Sequence, residues 1–176
     1  FSHCYALASI KLPDNLTTIK SYTFSDCKSL TSIIIPDSVT CIEDNAFDGI
    51  TTLRSVQIPN TVITIGSNAF NGCVNLTECS LPTSLTTLGE KSFYGCKKLT
   101  SFIIPETVTE IPAGCFGNCT SLTLTISNPD TITFIGECAM MNVDTVEWNS
   151  ESTSKWKLTI SGTFNLYSGK STDYSY

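Results

Sequence analysis

Phenylalanine recurs at positions 1, 24, 47, 70, 93 and 116, at one unvarying interval. A fixed period of this length marks an array of like units rather than one irregular core. The same interval carries Leu7, Leu30, Leu53, Leu76, Leu99 and Leu122. It also carries Leu12, Ile35, Ile58, Leu81 and Ile104, each followed directly by proline at 13, 36, 59, 82 and 105. A second apolar pair follows in every unit: Leu16/Ile19, Val39/Ile42, Val62/Ile65, Leu85/Leu88 and Val108/Ile111. The unit reads F-x-x-C-x-x-L-x-x-I-x-[LI]-P-x-x-[LV]-x-x-I-x-x-x-[AST], with Ala46, Ala69 and Ser92 just before their phenylalanines.

Each part of the unit suggests a local conformation. The L-x-x-I-x-L stretch predicts a short strand with its Ile and Leu inward, ended by a proline that cannot donate to a ladder. The second apolar pair predicts another short extended segment. In A-F-x-x-C-x-x-L the apolar residues stand three apart, the spacing of one helical or 3-10 turn. The expected fold class is therefore an α/β solenoid of 23-residue coils, with short parallel strands and short helical or 3-10 turns. No coil buries its own apolar set, so stability must come from stacking at about 4.8 Å per coil.

Six full units fall at residues 1–23, 24–46, 47–69, 70–92, 93–115 and 116–139, with a partial seventh to 146. One inserted residue between Leu122 and Pro129 shifts the last of them. The pattern fades through Val143 and Val146, and residues 147–176 read as a C-terminal cap or tail. There Trp156, Leu158 and Ile160 alternate, as a strand laid over the last coil requires. Phe1 already stands inside a unit, which is what a fragment or processed product of a longer chain would show.

The motif resembles the BspA-type, also called Treponema pallidum-type, leucine-rich repeat. Ile65-Gly66-Ser67-Asn68-Ala69-Phe70-Asn71-Gly72-Cys73 matches it nearly position for position, and the resemblance covers about residues 1–146. It implies a right-handed curved superhelix, usually in cell-surface or secreted proteins that bind host or matrix proteins, with no catalytic residues. The expected function is thus a non-catalytic, adhesin-like module that contacts a protein through its concave strand face. The alternative is a structural scaffold locked into a larger, intracellular assembly.

Composition narrows the partner. Charged residues are 15% against 41% hydrophobic, too apolar a balance for disorder. Sixteen acids against 10 bases give a net charge of -6, and Lys97-Lys98 is the only adjacent basic pair, so nucleic acid is not an expected partner. No apolar run approaches the ~20 residues that span a bilayer.

The chain offers little chemistry. Of nine cysteines, Cys4, Cys27, Cys73, Cys96 and Cys119 share one column with Ile50 and Val143, which predicts buried free thiols. Their spacings are not those of zinc sites, and His3 is the only histidine, so neither metal, cofactor nor catalytic triad is expected. Glu43-Asp44 reads as a solvated turn pair. Asn15-Leu16-Thr17, Asn75-Leu76-Thr77 and Asn118-Cys119-Thr120 are glycosylation acceptor patterns, with turn chemistry as the simpler cause.

A partner can read only what the core leaves variable. On the first strand these positions are Lys11, Ile34, Gln57, Ser80 and Ile103, flanked by Arg54 and Glu78. Ile34 and Ile103 are apolar yet predicted outward, which marks either a contact surface for a partner or a face packed beneath a neighbouring domain of a longer chain. Beside them Ser9, Ser32, Ser55 and Ser101 read as a small-residue packing row. Thr17, Thr40, Thr86, Thr109 and Thr133 on the second segment read as a solvated β face.

Overall fold

A computed structural model of the chain describes residues 1–127, 129–148 and 159–160. Among them every strand pair is parallel and every strand is two to four residues long. Pairing runs coil to coil. Thr18 pairs with Cys41, Cys41 with Thr64 and Thr64 with Thr87, each step one repeat interval along the chain. On the first segment, Ser32–Ile34 pairs with Ser55–Gln57 in the same register. The architecture is a parallel-strand solenoid with one or two short strands per coil.

The phenylalanines explain why the coils register. Phe24, Phe47, Phe70, Phe93 and Phe116 are fully buried. Their rings stack in file, with centroids 5.3, 5.0, 5.1 and 5.9 Å apart and planes within 14° of parallel. Leu30, Leu53, Leu76, Leu99 and Leu122 form a second buried file beside them. A slip of one residue would break both files at once.

The expected helical turns are not there. Among the described residues no α-helix occurs, and one 3-10 turn, Pro129–Thr131, lies outside the F-x-x-C-x-x-L segments. The α/β description is therefore replaced by a β-solenoid with non-helical turns. The reason is a pair of left-handed residues four apart that brackets each central ring: Tyr22 and Asp26 around Phe24, Asn45 and Gly49 around Phe47, Asn68 and Gly72 around Phe70, and Lys91 and Gly95 around Phe93. Left-handed φ cannot propagate a right-handed helix. The freed N–H groups bond to the following coil instead, Phe47 to the Ala69 carbonyl and Gly49 to the Asn71 carbonyl, both at 2.8 Å.

Two further expectations change. The first-segment strand does not form in every coil: residues 9–12 and 79–81 lack it, and only an isolated Ser55–Glu78 bridge marks the fourth coil. The irregularity after Leu122 is not one insertion but two opposed changes. Ser101 pairs with Thr123, one position short of the repeat interval, whereas Glu110 pairs with Phe134, one position beyond it. One residue is lost before the strand and two are gained after it, which keeps both ladders in step.

At the C-terminal side, Thr145–Trp148 adds to the first-segment sheet and Thr159–Ile160 pairs with Phe134–Ile135. Trp156 and Leu158, expected on a capping strand, lie outside the described residues.

Candidate functional site

Alternation along each first-segment strand decides what faces outward. Ile33 and Ile35 are buried while Ile34 between them is 68% exposed; Phe102 and Ile104 are buried while Ile103 is 62% exposed. Lys11, Arg54, Gln57, Glu78 and Ser80 are exposed as well. Parallel pairing sets Ile34 beside Gln57, and Ile103 beside Thr125. Ile34 and Ile103 stand three coils apart, roughly 14 Å at ordinary strand spacing. The serine row is not a packing row: Ser9, Ser32 and Ser101 are exposed and Ser55 is half-buried, so these hydroxyls widen the same face.

The second segment shows a different surface. Thr17, Thr40, Thr86 and Thr109 are exposed, as is Ile63 in the same column, and Thr133 continues it. Several of these threonines turn their hydroxyls back onto the preceding coil, Thr86 to the Ile63 carbonyl at 3.3 Å and Thr133 to the Thr109 carbonyl at 3.1 Å.

The cysteine column is committed to the interior. Cys27, Cys73, Cys96 and Cys119 have no exposed surface, and within the column only Cys4, in the first coil, is open to solvent. Their thiols do more than fill space. Cys27 donates to the Phe1 carbonyl at 3.2 Å, Cys73 to Phe47 and Cys96 to Phe70 at 3.3 Å, and Cys119 to Phe93 at 3.0 Å. Burial pushes the Cys73 and Cys96 thiols well above the usual range, and pushes Cys115 up to about 12. A thiolate nucleophile needs the opposite environment. Among the described residues no group of three His, Cys, Asp or Glu is placed to hold a metal ion.

Polar groups that look solvated in the sequence tie coils together. Glu43 accepts from Lys20 Nζ at 2.7 Å and from the Ser21 N–H at 3.0 Å, which lowers its carboxyl pKa, the lysine contact first. Asp44 accepts the Ser67 N–H at 2.7 Å. Asn75 donates to the Thr51 carbonyl and Asn118 to the Tyr94 hydroxyl, so these two amides already have structural partners, while Asn15 is exposed.

One column escapes sequence reasoning altogether. Ser38, Thr61, Ser84 and Thr107 each donate a hydroxyl to a carbonyl in the preceding coil, on Leu16, Val39, Val62 and Leu85. The signal is a Ser or Thr two positions after the prolines at 36, 59, 82 and 105, but serines and threonines in a loop attract no notice.

Strand-paired coils, a file of stacked rings and an alternating outward face define a leucine-rich-repeat solenoid. The chain belongs to the BspA-type leucine-rich repeat family: the profile of the BspA type Leucine rich repeat region matches residues 1–123 in six copies. Among solved structures, a leucine-rich repeat protein from Eubacterium ventriosum is 28% identical, with 82% of this chain and 44% of that chain covered and a TM-score of 0.57. The T. pallidum leucine-rich repeat protein is 23% identical over 78% of this chain and 71% of that one, with a TM-score of 0.52. A leucine rich cell surface protein from Faecalibacterium prausnitzii is 22% identical over 86% and 62%, with a TM-score of 0.46. The chain thus spans less than two thirds of the E. ventriosum and F. prausnitzii proteins. No curated protein matches it significantly. Among the described residues no helix is long and apolar enough to cross a membrane.

Proposed function

We propose that the chain is a non-catalytic, adhesin-like protein-binding module, and that its partner docks on the first-segment strand face. The observation that carries this reading is the exposure of Ile34 and Ile103 on a face whose alternate residues are buried. Large apolar side chains held outward on a rigid strand lose little entropy on docking and serve as anchors. Lys11, Arg54, Gln57, Glu78 and Ser80 supply the polar surround. Membership of a repeat family generally used for protein interaction supports the class of function. The surface or secreted location that the family resemblance implies belongs to the same proposal, as does the role of residues 147–176 as a cap on the array.

The test is binding of the purified chain to a panel of immobilised host matrix proteins, with Ile34→Glu/Ile103→Glu compared against Ile63→Glu on the threonine face. The expected result is a loss of at least about tenfold in affinity for the double variant only, as for a buried anchor lost from an interface. Loss on Ile63→Glu with the double variant unaffected would move the site to the other face.

A further inference from the structure

The rungs between coils follow a rule that fails at one place. On the second segment, Thr40, Ile63, Thr86 and Thr133 each donate an N–H to the coil before, to Thr17, Thr40, Ile63 and Thr109 at 2.8–3.0 Å. Thr109 makes no such bond to Thr86. Three residues on, Glu43, Gly66, Gly89 and Gly136 donate to Ile19, Ile42, Ile65 and Ile111 at 2.8–2.9 Å. The residue in that column in the fifth coil is Pro112, which has no N–H to give.

The column is crowded on either side of that boundary. A Cβ at Gly89 would lie 2.2 Å from the Ser67 nitrogen, and one at Gly136 2.3 Å from the Ala113 nitrogen. The column is a place where successive backbones nearly touch, and Pro112 brings a ring into it. As a result Thr87–Leu88 and Glu110–Ile111 belong to separate sheets.

The first segment is interrupted at the same boundary. Arg54, Thr77 and Thr123 donate to Thr31, Arg54 and Thr100, but Thr100 makes no bond to Thr77. Cys79 and Leu81 are half-buried, whereas Ile33, Val56 and Phe102, and Ile35, Ile58 and Ile104, in the same columns are buried. The core changes size here: the small Cys79 precedes Phe102, whose ring sits edge-on between Phe93 and Phe116 at 4.9 and 5.9 Å. The first and second coils also lack a first-segment pair, but their second segments pair through Thr18–Ile19 and Cys41–Ile42. Among the described residues, only the boundary between the fourth and fifth coils lacks both ladders.

The phenylalanine side stays closed. Phe70 donates to Ser92 at 2.8 Å and Phe93 to Cys115 at 2.9 Å, and the Lys98 N–H reaches the Val74 carbonyl at 3.3 Å. The Thr107 hydroxyl reaches across to the Leu85 and Thr83 carbonyls and straps the loop between the two segments.

We propose that this boundary is a hinge: the first four coils and those from the fifth onward move as two blocks about the phenylalanine file, opening on the strand side, with Thr107 as the restraint. Ile34 and Gln57 ride on one block and Ile103 and Thr125 on the other. The hinge changes the angle between the two halves of the strand face. It rests on backbone hydrogen bonding and packing, and holds whether or not that face binds a protein.

Hydrogen–deuterium exchange of the whole chain, read by mass spectrometry, tests it. Amides of residues 100–111 are expected to exchange roughly tenfold or more faster than those of residues 54–65, whose rungs to the preceding coil are formed on both segments. Pro112→Gly restores the donor and removes the ring, and should slow exchange at 100–111 while leaving 54–65 unchanged. Equal protection of the two segments overturns the hinge, as does a folded Pro112→Gly chain that exchanges like the wild type. If Pro112→Gly does not fold, Thr107→Val decides: selective acceleration at 100–111 supports the hinge, and no selective change overturns it.

Discussion

Cys119 donates its thiol to the carbonyl oxygen of Phe93, in the preceding coil, at 3.0 Å. The same Phe93 oxygen accepts the Cys96 N–H at 3.3 Å from its own coil. A side chain of the right size for the column thus also satisfies a polar group inside the core, since a buried carbonyl with two lone pairs is better served by two donors. Replacing Cys119 by Ala removes a donor and leaves a small void, for an expected loss of about 1–2 kcal/mol in denaturant melts. Cys119→Ser, which keeps a donor, should lose its stability by a different route, by burying a hydroxyl.

Burial of the thiols also sets a pH dependence. Cys115 ionises at about 12 in the folded chain against 9.0 for an ordinary thiol, because burial penalises the thiolate. A raised pKa in an acid means that folding favours the protonated form, so the stabilisation is full below the ordinary thiol value and is lost as pH climbs through the folded one. Denaturant midpoints should hold steady to about pH 9 and then fall, and Cys115→Ala should fall less steeply over that window.

The ring file should be most sensitive at its centre. Phe70 lies between Phe47 and Phe93 at 5.0 and 5.1 Å, and Phe70→Ala should cost about 3–5 kcal/mol. Phe1 has a ring neighbour on one side, Phe24 at 5.6 Å, and is 61% exposed, so Phe1→Ala should cost under about 1 kcal/mol. Thermal melts of the two variants side by side give the comparison.

Backbone contact between coils makes a sharper prediction. Gly89→Ala puts a methyl 2.2 Å from the Ser67 nitrogen, and the coils must part to admit it, at about 1–3 kcal/mol. Thr61→Val, which removes only the hydroxyl bond to Val39, should cost about 1 kcal/mol. Glycine variants that prove neutral would show that the coils are looser than the distances indicate.

The sequence is most legible where one residue type fills one column. Phenylalanine at a constant interval announces the solenoid, and Ile50 in the cysteine column announces packing rather than chemistry. The outward placement of Ile34 and Ile103 follows from strand alternation alone. The turns mislead because F-x-x-C-x-x-L has helical spacing, while the left-handed residues that forbid a helix include Tyr22, Lys91 and Cys138, which carry no such signature. The opposed changes around Thr123 cancel to a net single residue, so only pairing separates them. Glu43 and Asp44 look solvated because their partners lie one coil away, a distance that a local reading does not see.

Thiol labelling followed by mass spectrometry, on native and then on denatured, unreduced chain, tests most directly whether the columns are committed to stacking. That commitment is what leaves the strand face as the surface a partner can read. The prediction is that Cys4 labels rapidly in the native chain, and that Cys27, Cys73, Cys96, Cys115 and Cys119 label only after unfolding, with no pairs among them. A fast-reacting thiol among those five, or a disulfide within the column, would contradict the packed core and return the cysteines to the search for chemistry.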